Sequence, residues 1–194
     1  MHLVGEMNAR EIALIIVFTA LAIALNPVAI PAGYLPGSFY RFWEIPIVAA
    51  FLLLGPKSGV TVAVLRTVAE LTLFLGPVGV LGPPLALVGT LSMLLGVYSA
   101  DRLLKRKASQ DKNLGTKPVM YFTALGALFR TVIVPFVMYP VYRFLLPRAL
   151  SDVQILALMP ALMVFTLTLS LYTIPIGYLI ARTVSRDLKV GNRL

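Results

Sequence analysis

Arg66, Glu70 and Arg130 are the residues best placed for chemistry, because each falls inside a long apolar run. Charges at bilayer depth are rare and mark a function or a buried pair. Arg66 and Glu70 are four residues apart and share a helix face. Glu70 lies 12 residues past Ser58 and Arg130 lies 12 past Pro118, so both reach about 18 Å along outward-running helices. A Glu70–Arg130 ion pair at one level is therefore expected. The competing expectation is that one of the two arginines stays free to hold a carboxylate or phosphate of a ligand.

The stretch 31–44, PAGYLPGSFYRFWE, carries a second group. Tyr34, Phe39, Tyr40, Phe42 and Trp43 flank Arg41 and Glu44. Aromatic faces beside a cation and a carboxylate suit a flat, polar-edged small molecule. An interfacial aromatic belt is the plainer reading. Gly33 and Gly37 favour a mobile lid, since a belt needs no flexible backbone. A third group, Tyr139, Tyr142 and Arg143, follows Pro135 and Pro140, which break backbone bonding near the outer surface. The hydroxyls of Thr166, Thr168, Ser170, Tyr172 and Thr173 are expected mostly to bond within the bundle.

Other chemistry is poorly supplied. The chain has no cysteine and one histidine, His2. Thiolate nucleophiles, Cys-type metal centres and a Ser-His-Asp triad within the membrane are excluded, and no metal or cofactor is expected. No phosphate-binding G-x-x-x-x-G-K-[ST] loop, G-x-S-x-G elbow or H-E-x-x-H motif is present. Any ATPase that drives uphill transport must lie on another chain.

These residues must be positioned by membrane-spanning helices. The 194-residue chain is 59% hydrophobic and only 13% charged, about half the charge of a soluble domain. Spans are expected at 11–30, 42–55, 59–76, 84–100, 119–145 and 155–181, within one transmembrane domain covering 1–194. With the N-terminus inside, twelve Lys and Arg fall in inner segments, three in outer segments (Arg41, Arg143, Arg148) and two, Arg66 and Arg130, within spans, which accounts for all 17. That asymmetry predicts six helices, both ends cytoplasmic, in a multi-pass cell-membrane protein. It also explains the net charge of +9 without nucleic acid. The segment 101–118, with Lys105, Arg106 and Lys107, is expected to lie against anionic lipid. The segment 76–84, GPVGVLGPP, is expected to be non-helical, forming either the rim of a pocket or a turn in which Pro83 or Pro84 starts a helix. The small-residue pairs Ala20/Ala24, Ala9/Ala13 and Ser92/Gly96 permit close helix approach, with internal packing the default.

The order of several motifs carries a resemblance. Ala20-xxx-Ala24 precedes Glu44-Ile45-Pro46, then Leu53-Leu54-Gly55-Pro56-Lys57-Ser58-Gly59, then Gly76-Pro77-Val78-Gly79 and the basic stretch 98–107. Over most of its length the chain resembles the substrate-binding S component of energy-coupling factor (ECF) transporters, which serve vitamin uptake. The resemblance implies a six-helix all-α fold and a vitamin-like substrate held near the outer face under a lid formed by the first outer loop. It implies a gate over 34–43 and a pocket that includes Tyr139, Tyr142 and Arg143. It also implies docking through Ala20 and Ala24 onto a transmembrane T subunit, with two ATPase subunits supplying power. The middle region is most similar to riboflavin-type members. It departs from them at Arg41-Phe42-Trp43-Glu44 and at Val134-Pro135-Phe136, which leaves another flat or anionic substrate equally open. A membrane-embedded lipid-modifying enzyme using Glu44 or Glu70, and a non-catalytic assembly protein, are the alternatives.

Overall fold

The computed structural model describes residues 8–35, 38–73, 79–108, 117–145 and 151–188. Helix α1 spans Ala9–Ala24, and a two-stranded antiparallel hairpin follows, β1 (Ala29–Pro31) and β2 (Phe39–Arg41). Its register pairs Ala29 with Arg41 and Pro31 with Phe39. Then come α2 (Glu44–Leu54), α3 (Pro56–Leu73), a 3-10 turn at Gly79–Leu81, α4 (Gly82–Ala108), α5 (Lys117–Pro140), a π turn at Val141–Leu145 and α6 (Asp152–Leu188). The expectation of helix from 11 to 30 is corrected: α1 stops at Ala24, ahead of Pro27, which cannot continue a helix and disfavours it in the residue before. The chain then turns into strand.

The short helix α2 is the centre of the bundle. At about 1.5 Å per residue it is about 16 Å long, half a bilayer core, and every residue from Glu44 to Leu53 is buried. It packs against α1, α3, α4 and α6. Around it neighbours run α1–α3–α4–α5–α6. The α2–α3 corner is set by Gly55 at φ 109°, a left-handed backbone that a side chain would strain. The α4–α5 crossing needs Gly96, where a Cβ would lie 2.3 Å from the Leu125 carbonyl oxygen. This assigns the Ser92/Gly96 pair to internal packing. Ala20 and Ala24 go the other way: both are exposed on the outer side of α1, which corrects the expectation that they pack internally.

Among the described residues, three stretches are long and apolar enough to cross a membrane, Gly79–Arg106, Pro118–Leu145 and Asp152–Asp187. The helices α4 and α6 extend past their expected spans. Pro83 and Pro84 fall in the first turn of α4, the position that tolerates a residue without an N–H. Residues 74–78, with the start of the expected pocket rim, and residues 109–116 of the basic segment 101–118 lie outside the described residues.

Candidate functional site

At the hairpin end of the bundle, opposite the exposed Arg102, Lys105 and Arg106 at the far end of α4, a cavity of about 390 Å³ opens between β2, α4, α5 and α6. Small-molecule sites occupy about 300–1,000 Å³. Its apolar walls are Leu85 and Ala86 of α4, Val134 and Met138 of α5, and Leu162, Phe165 and Leu169 of α6. Its polar lining is Ser38, Arg41, Glu44, Arg130, Tyr142 and Thr166, with Phe39 and Trp43 at the hairpin side.

The charges arrive from three directions. Glu44 begins α2, and its carboxylate accepts both terminal nitrogens of Arg130, at 2.5 and 2.8 Å, and the Thr90 hydroxyl at 3.0 Å. Arg130 from α5 and Glu44 are both buried. The expected Glu70–Arg130 pair is thereby corrected: Arg130 belongs to Glu44. Glu70 instead pairs with Arg66 at 2.6 Å, across one turn of α3, and with Arg41 of β2 at 3.3 Å. Arg66 is 1% exposed, donates to Asn26 at 2.6 Å and stacks over the Trp43 ring at 3.5 Å. A desolvated cation on an indole face is worth about 2 kcal/mol. Trp43 is the only tryptophan in the chain. Three guanidinium groups thus meet two carboxylates around one tryptophan.

The hairpin is fastened over this network. Tyr40 packs on Phe165 at 5.1 Å, and Phe42 on Tyr172 at 5.6 Å. The Tyr172 hydroxyl donates to the Arg41 carbonyl at 2.8 Å. Leu35, 4% exposed, inserts between α5 and α6 against Val134 and Leu162. The Tyr34 and Tyr40 hydroxyls bond each other. Desolvation, then that shared bond, pushes Tyr34 up to about 12.

Of the residues singled out from sequence, Phe39, Arg41, Trp43, Glu44, Arg130 and Tyr142 line the cavity. Tyr40 is not in the lining but packs on Phe165, and half-exposed Tyr34 bonds it. Tyr139 and Arg143 bond Asp152, at 3.1 and 3.3 Å, and tie the C-terminal end of α5 to the start of α6. Arg66 and Glu70 stand behind the lining as supports. Asn26, Leu35, Thr90, Leu162 and Phe165 were not anticipated. Leu162 and Phe165 carry no signal beyond hydrophobicity, while Asn26 reads as a helix-end residue before Pro27.

A second cavity, of about 950 Å³, lies toward the other end between α2, α3 and α4. Glu11 and Lys57 are its charged lining residues, and Glu11 is engaged by the Ser58 hydroxyl at 2.7 Å. Its other polar lining residues are Ser58, Ser92 and Tyr98.

No protein-family model and no curated protein matches the chain. Solved structures do match its fold. One is the S component of a bacterial ECF transporter, at a TM-score of 0.67 and 18% identity, covering 93% of this chain and 98% of that one. Another is the S component for biotin from an ECF-type ABC transporter, at a TM-score of 0.63 and 18% identity, covering 97% of each chain. This chain therefore has the S-component fold.

Proposed function

We propose that this chain is the substrate-binding S component of an ECF-type ATP-driven importer, and that a vitamin or related small molecule occupies the 390 Å³ cavity. It spans the membrane six times with both ends in the cytoplasm, so that the cavity opens at the outer face and the hairpin is its lid. The observation that carries this reading is the convergence of Arg41, Trp43, Glu44 and Arg130 on one apolar-walled cavity beneath a fastened hairpin, within an S-component fold.

The state of the two carboxylates supports binding. Glu44 is saturated by three hydrogen bonds, and Glu70 is shared by two arginines. Neither is poised to move a proton, as a lipid-modifying enzyme would need. Among the described residues no group of His, Asp and Glu is arranged to hold a metal. Power then comes from a T subunit and two ATPase subunits, and the chain's own part is to select, hold and release the substrate. Release requires the hairpin to lift from α6, which means breaking the Tyr172–Arg41 bond and withdrawing Leu35.

The test is binding by the purified chain alone. Native mass spectrometry of the protein freshly extracted in detergent should show a retained small molecule, and removing that molecule should change the emission of Trp43, which lines the cavity. A chain that retains nothing and does not co-purify with a T subunit on co-expression would overturn the proposal.

A further inference from the structure

The charge balance inside the cavity narrows what it holds. Its charged lining is Arg41, Glu44 and Arg130. Arg130 and Glu44 neutralise each other in a buried, two-pronged contact at 2.5 and 2.8 Å. Such fork-to-carboxylate pairs are the strong ones, and this one is not available to a guest without leaving Glu44 buried and uncompensated. Arg41 is in a different position. Its carboxylate partner, Glu70, sits at 3.3 Å and has a closer partner in Arg66 at 2.6 Å. The Arg41 side chain is 31% exposed, against 1% for Arg66 and 7% for Arg130. The cavity therefore carries one positive charge in excess, on its most accessible and most loosely held cation. That cation rides on the hairpin.

Building on the importer reading, we propose that the cavity takes an amphipathic monoanion, a small molecule with an apolar body and a single carboxylate group. Arg41 receives the anionic group by exchanging Glu70 for it, while Arg66 keeps Glu70 neutralised. The apolar body lies against Val134, Leu162 and Phe165. The exchange makes the guest part of the lid: its anion holds the strand that carries Arg41, so binding and closure are one event. A neutral guest would leave the excess charge unmatched. A dianion would exceed it.

The test uses the full chain in detergent with a bacterial small-molecule extract as the probe. The protein is incubated with the extract and washed, and the released compounds are identified by mass spectrometry against a protein-free mock. The retained compound is expected to carry one anionic group, and its methyl ester to compete about 10- to 100-fold more weakly, the worth of a charge-assisted contact. Arg41→Gln should weaken the acid by the same factor and leave the ester unchanged, with Arg41→Lys restoring part of the loss. A neutral or cationic retained compound, or an ester that binds as tightly as the acid, overturns the anion assignment and leaves the importer reading standing. Equal acid binding by wild type and Arg41→Gln overturns the role of Arg41. A wild-type chain that retains nothing above the mock overturns both the assignment and the importer reading.

Discussion

Glu44 shows how one carboxylate organises the interior of the bundle. It is 2% exposed, and both of its oxygens are taken by Arg130 and Thr90. Removing one partner of a buried pair leaves an uncompensated charge, at about 3–5 kcal/mol, whereas replacing both is far milder. Arg130→Met is therefore expected to lower stability by about 3–5 kcal/mol, and Glu44→Gln/Arg130→Met to recover more than half of that. Thermal unfolding of the purified variants in detergent measures both, and a double variant no better than the single would show that the pair is not the source. The presence of buried charge was legible in the sequence, because Arg66, Glu70 and Arg130 interrupt apolar runs. The partner of Arg130 was not. Counting 12 residues from Ser58 and from Pro118 puts Glu70 level with Arg130 but says nothing of where Glu44 lies. In the structure Glu44 is buried at the start of α2, within reach of Arg130 and Thr90.

At the scale of elements, the hairpin and the α4–α5 crossing set the cavity from opposite sides. The hairpin holds to α6 by the Tyr172–Arg41 hydrogen bond, by ring contacts and by Leu35. Tyr172→Phe removes only the bond, worth about 1 kcal/mol. Amide hydrogen exchange over 29–41 should then quicken roughly fivefold, with little change in melting temperature; unchanged exchange would mean that the rings and Leu35 hold the hairpin unaided. On the other side, Gly96 meets backbone, so Gly96→Ala is expected to cost at least about 2 kcal/mol and much of the folded yield. Gly89, one cavity wall, has 3.6 Å of room to Arg130, so Gly89→Ala should fold normally. Comparing the monodisperse yield of the two variants checks the contrast. The Gly- and Pro-rich composition of 31–44 showed that no helix forms there and suggested a lid. It did not show strands, because β1 is three residues long, contains Pro31 and depends on a partner ten residues away. Strands so short are specified by tertiary contact more than by propensity.

At the scale of the molecule, the question is what α1 faces. Ile15, Phe18 and Ala22 of α1 are buried against the bundle, while Ala13, Ile16, Val17, Ala20 and Ala24 are exposed. Ala13, Val17, Ala20 and Ala24 recur every three or four residues and form a shallow stripe along one side. Lipid alone imposes no need for small residues, since leucine is as apolar as a lipid tail; small residues matter where another backbone must come close. On the proposed function that backbone belongs to the T subunit. Ala20→Leu/Ala24→Leu would then leave the isolated chain intact, because neither side chain enters the core. Its melting temperature should fall within a degree or two of wild type, as surface changes usually stay within about 0.5 kcal/mol, and its retained small molecule should be unchanged. Co-purification with a co-expressed T subunit and ATPase pair should drop at least tenfold, and ATP-driven uptake with it, because two added isobutyl groups would separate the helices along the whole contact. Full complex formation by that double variant would make the stripe a lipid-facing surface and move the docking site elsewhere on the bundle.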